Sequence, residues 1–100
     1  KEIHMNTTQI QEIIFSALTM TNHTREDNNQ IPIAPITELY SKNGYLDSMG
    51  LVAFLIDVEE LFLDEDIKIS LSDDRAMSQT KSPFRSVETL TQYIVELLQE

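Results

Sequence analysis

Few side chains in this chain have both the type and the spacing for chemistry. There is no cysteine, so disulfides, thiolate metal sites and thiol nucleophiles drop out, and any thiol chemistry would need a bound cofactor. The two histidines, His4 and His23, sit in polar stretches and neither has a helical ligand partner. Asp64-Glu65-Asp66 lacks the spacing and the glycine of a calcium-binding EF-hand loop, so no metal site is expected. No serine, histidine and acid arrangement points to nucleophilic catalysis, and no glycine-rich loop points to a nucleotide. Attention falls on Asp47-Ser48, where two residues that favour helix starts precede a long apolar run. Taken alone, this pair reads as an N-cap.

The elements that must hold these residues follow from apolar spacing. Ile10, Ile13, Ile14, Ala17 and Leu18 form the stripe of an amphipathic helix over about Thr8 to Met20, with a capping box of Thr8 and Gln11. Phe15 lies off that stripe and should touch a loop or a neighbouring helix. Thr21 to Gln30 is polar and ends the helix. Pro32 and Pro35 forbid a regular helix through the next stretch, and Ile31, Ile33 or Ile36 should pin it as an ordered loop across the bundle. Thr37 to Tyr40 could add one helical turn.

A second helix should run from Ser48 to about Phe62. Its apolar positions nearly encircle it, which predicts a central place among the helices, with some apolar surface left for a partner. Ile67-Lys68-Ile69 reads as an extended connector that tucks in its isoleucines. Ser72-Asp73-Asp74 should open a short helix to about Ser78, and Ser86 should cap a last helix carrying Val87, Leu90, Ile94, Leu97 and Leu98 on one face. The prediction is an all-α, four-helix bundle: three main helices, one short helix and a long first loop.

The 100 residues fit a single domain over 5–100, with Lys1 to His4 read as a cloning remnant ahead of Met5. The formal net charge of −10 disfavours nucleic acid and anionic membranes and favours partners with basic patches. No apolar run is long enough to span a membrane. No secretory signal is visible, which makes the cytoplasm the expected compartment and makes Asn6-Thr7-Thr8 and Asn22-His23-Thr24 chance matches to a glycosylation acceptor.

Leu46-Asp47-Ser48-Met49-Gly50 resembles the Asp-Ser-Leu or Asp-Ser-Met signature of acyl carrier proteins, including the aminoacyl and D-alanyl carriers. The likeness continues through Leu51 to Phe62 and resumes at Phe84-Arg85-Ser86-Val87 with Leu90 and Tyr93-Ile94. It covers the chain from about Thr8 to the end. The resemblance implies that Ser48 receives 4'-phosphopantetheine from coenzyme A through a phosphopantetheinyl transferase. It further implies a monomeric, non-enzymatic carrier of an acyl or aminoacyl thioester, served by a loading ligase or transferase and by downstream thioester-using enzymes. An acyl chain could shelter between the helices. A phosphodiester at Ser48 would be an anion at the positive end of a helix.

The resemblance also gives Asp47, Glu59 and Glu60 as acids that meet basic partner surfaces, and Met49, Val52 and Ile56 as apolar contacts beside the serine. The competing readings are solvated charges for the acids and core packing for the apolar residues, above all for Val52. Gly50 and Ala53 stand where many fatty-acid carriers have polar or acidic residues, and Asp73 to Phe84 is longer and more polar than in those carriers. These departures leave the cargo open between fatty or polyketide groups and aminoacyl or D-alanyl groups, and they point toward a specialised stand-alone carrier. The rival class is an unmodified acidic helical interaction module.

Overall fold

The computed structural model describes residues 5–71 and 83–99. Among them the secondary structure is helical, with no strand: α1 (Thr7–Asn22), a 3-10 turn (Asp27–Asn29), α2 (Ser48–Asp64) and α3 (Val87–Leu98). The short helix expected after Ser72, including its Ser72-Asp73-Asp74 start, lies outside the described residues. No helix of the described residues is long and apolar enough to cross a membrane.

The cap of α1 is Asn6, two residues before the expected Thr8. Asn6 Oδ1 accepts from Gln9 N at 2.8 Å, and Gln9 Oε1 accepts in return from Asn6 N at 2.9 Å. Asn6, Thr7 and Thr8 can all serve as caps, and the earlier box lengthens the helix by two residues. Ile10, Ile14, Ala17 and Leu18 are buried, with Ile13 and Phe15 packed at the margin of the core. α1, not the more apolar α2, packs against both other described helices. Ala17 and the wholly buried stripe around it let neighbours approach from two sides, whereas α2 keeps one flank in solvent.

α2 buries Leu51, Phe54, Leu55, Val58 and Phe62. It ends where its acids predicted, in a Schellman turn. Ile67 N donates to Phe62 O at 3.0 Å and Asp66 N to Leu63 O at 2.9 Å. Asp66 takes the left-handed position with φ 62°, one of the few non-glycine types that do so readily. The reversal carries Ile67 into the core and leaves Ile69 half-buried, as the alternating connector predicted.

The long first loop is an ordered strap, and of its three isoleucines only Ile31 is buried; Ile33 and Ile36 are exposed. Asn22, the last residue of α1, grips Ile31 from both sides. Its Nδ2 donates to Ile31 O at 3.0 Å, and its Oδ1 accepts from Ile31 N at 2.7 Å. A buried asparagine with its amide so engaged is not a glycosylation acceptor in the folded chain. Thr37 to Tyr40 makes no helical turn. Its backbone donors are committed elsewhere: Leu39 N bonds Arg85 O at 2.8 Å and Tyr40 N bonds Phe84 O at 3.0 Å, flanking an isolated Glu38–Ser86 bridge. The strap is thereby sewn to the chain entering α3.

Candidate functional site

The strap delivers Asp47-Ser48. Leu39 and Leu46 are buried together in the core, with Leu46 N donating to Leu39 O at 2.9 Å. The chain between them turns through Gly44, whose N–H reaches Ser41 O at 3.0 Å. A Cβ on Gly44 would press on the Leu39 carbonyl and lie 2.8 Å from Ser41 N, so this close turn needs a glycine. Beyond Leu46 the backbone emerges, and Asp47 and Ser48 are both exposed.

Asp47 is the N-cap of α2. Its Oδ1 accepts from Gly50 N at 2.7 Å, and its carbonyl accepts from Leu51 N at 2.8 Å. Ser48 is the first helical residue, and among the described residues its hydroxyl has no hydrogen-bond partner. The amides of Ser48 and Met49 are likewise not bonded by any described residue, so this helix start is open to water or an anion. Gly50 keeps the cap uncrowded; a Cβ there would lie 3.1 Å from Asp47 Oδ1.

Met49, Val52 and Ile56 follow Ser48 along one face of α2 and are 83 %, 47 % and 48 % exposed. Val52 therefore belongs to the surface, not to the core where its residue type alone would have put it. Leu63, 58 % exposed, extends the same stripe and was not singled out from sequence. Its only signal is the helical spacing from Ile56 through Glu60.

The two glutamates differ. Glu60 is exposed, whereas Glu59 is half-buried and its Oε2 accepts from Leu71 N at 2.7 Å. An open groove of about 260 Å³ runs between this part of α2 and the following connector, lined by Ile56, Glu59, Glu60, Leu63, Lys68 and Ile69. Lys68 and Ile69 form the connector wall.

No family model, curated protein or solved structure matches this chain. What stands is a small helical domain with an unengaged serine hydroxyl at the head of an apolar-acidic helix face.

Proposed function

We propose that this chain is an acyl or aminoacyl carrier whose Ser48 is the attachment point for 4'-phosphopantetheine. The observation that carries this reading is the division of labour at the start of α2. Asp47 makes the cap, so the Ser48 hydroxyl is exposed and has no structural bond to give up. The resemblance of Asp47-Ser48-Met49 and the helix after it to carrier proteins supports the same residue.

The residues present fit the group. Ser48 Oγ would attack the pantetheine-bearing phosphorus of coenzyme A and give its proton to a base on the transferase, as the pyrophosphate P–O bond breaks and adenosine 3',5'-bisphosphate leaves. The unbonded amides of Ser48 and Met49, at the positive end of α2, offset the charge of the phosphate. When attached, the group supplies the thiol that the cysteine-free chain lacks, and with it a thioester for an acyl load. Asp47 and Glu60 offer charge to basic partner surfaces, and Met49, Val52 and Ile56 offer apolar contact beside the serine. The chain itself performs no catalysis in this reading. It serves a transferase, a loading enzyme and downstream thioester-using enzymes, in the cytoplasm and as a monomer. In this reading the fold is the four-helix form of the carriers.

Incubation with coenzyme A and a promiscuous phosphopantetheinyl transferase tests the proposal by intact mass. The expected result is a gain of one phosphopantetheine that is absent in Ser48→Ala. No gain under conditions that modify a control carrier would leave the rival, an unmodified acidic interaction module. Intact mass of the protein from its native host would then separate a fatty or polyketide load from an aminoacyl or D-alanyl load.

A further inference from the structure

Glu59 and Glu60 are adjacent in sequence, carry the same charge and stand on the same helix, yet the chain treats them differently. Leu71 is fully buried, and its backbone N–H must find an acceptor away from water. The acceptor is Glu59 Oε2 at 2.7 Å, reached across twelve residues of chain. This bond fixes the end of the connector that leaves α2 through the Schellman turn at Asp66. The same connector supplies Lys68 and Ile69, the wall facing Ile56, Glu60 and Leu63. Glu60 has no hydrogen bond or ion pair with any described residue, and its carboxylate faces solvent.

We propose that Glu59 is a positioning residue that holds the connector wall against α2, which leaves Glu60 as the one of the pair available for the docking that the carrier resemblance implies. The docking half rests on the carrier reading above; the positioning half does not. A carboxylate that accepts a buried amide does so through its oxygen, and a glutamine oxygen can take its place. A docking carboxylate acts through its charge, which glutamine lacks and salt screens.

The test compares the wild-type chain with Glu59→Gln, Glu59→Ala and Glu60→Gln. Three quantities are read: Tm, hydrogen exchange of the Leu71 amide, and the KM of each chain as substrate for the transferase at low and high salt. Glu59→Ala should lower Tm by about 5–10 °C and speed exchange at Leu71. Glu59→Gln should restore both and keep KM within about twofold of wild type. Glu60→Gln should leave Tm and Leu71 exchange unchanged and raise KM about three- to tenfold at low salt, with the effect shrinking at high salt. The proposal is overturned if Glu59→Gln raises KM as much as Glu60→Gln, or if Glu59→Ala leaves Leu71 protected. A wild-type chain that is never modified removes the carrier reading and the docking role of Glu60 together, while Leu71 exchange still decides the role of Glu59.

Discussion

Among the described residues two serines stand at helix starts, and they are used in opposite ways. Ser86 is the N-cap of α3, and its Oγ accepts from Thr89 N at 3.2 Å while Ser86 N donates to Thr89 Oγ1 at 3.0 Å. The amides just inside that helix are also taken: Val87 N bonds Thr37 O at 3.0 Å and Glu88 N bonds Pro35 O at 3.1 Å. Ser86 and the strap together thus close the start of α3. At α2 the cap is an aspartate, the serine comes one residue later, and no described residue bonds the amides of Ser48 and Met49. A cap serine gives its oxygen to the fold, and a serine just inside the cap keeps it for something else. One strap produces both arrangements, closing α3 with its middle and presenting α2 with its end.

The largest expected effect exchanges the two serines. Ser48→Ala should abolish phosphopantetheine transfer entirely while Tm moves by no more than a degree or two. Ser86→Ala should leave transfer intact and cost about 0.5–2 kcal/mol, read by urea unfolding. The contrast breaks if Ser48→Ala is the variant that unfolds.

A second variant strikes the turn that delivers Asp47-Ser48. Gly44→Ala should cost about 1–3 kcal/mol in the same unfolding measurement, because the Leu39 carbonyl and Ser41 amide must move to admit a methyl group. Transfer to Ser48 should slow with it. A normally stable Gly44→Ala chain would show that the strap has slack the contact distances do not allow.

Asp47→Ala should have a smaller effect. It should cost about 0.5–2 kcal/mol, and Asp47→Ser should recover most of that loss by restoring a cap acceptor. No recovery would mean that Asp47 stabilises α2 through charge and not through its bond to Gly50 N.

The smallest effect is expected at Val52→Asp. With Val52 47 % exposed, the new carboxylate stays hydrated, and stability should change by about 0.5 kcal/mol or less. A loss several times larger would return Val52 to the core.

The main helices and two of their caps were legible because each has a local cause. Asp47 and Ser86 precede apolar runs, and Asp64-Glu65-Asp66 ends one. Sequence points to Thr8 rather than Asn6 as the first cap because Asn6-Thr7-Thr8 offers adjacent candidates and glutamines stand at both Gln9 and Gln11. Val52 was hard to place for a different reason. α2 is apolar on nearly every side, and periodicity cannot say which side has neighbours. The strap's hydrogen bonds were out of reach altogether. Asn22 with Ile31 and Leu39 with Arg85 tie the strap's backbone to remote partners, as the Glu59 carboxylate ties Leu71 in the connector, and nothing in residue type marks an amide that will need a remote acceptor. The open hydroxyl of Ser48 sits between these cases. Its position was legible from Asp47-Ser48, but its freedom from capping duty appears only once Asp47 is seen to bond Gly50.

The most direct measurement is peptide mapping of the transferase-treated chain by tandem mass spectrometry. The phosphopantetheine adduct should lie on the fragment containing Ser48, with the Ser86 fragment unchanged in mass. An adduct on any other serine, or an unmodified Ser48 fragment beside a fully modified control carrier, would contradict it.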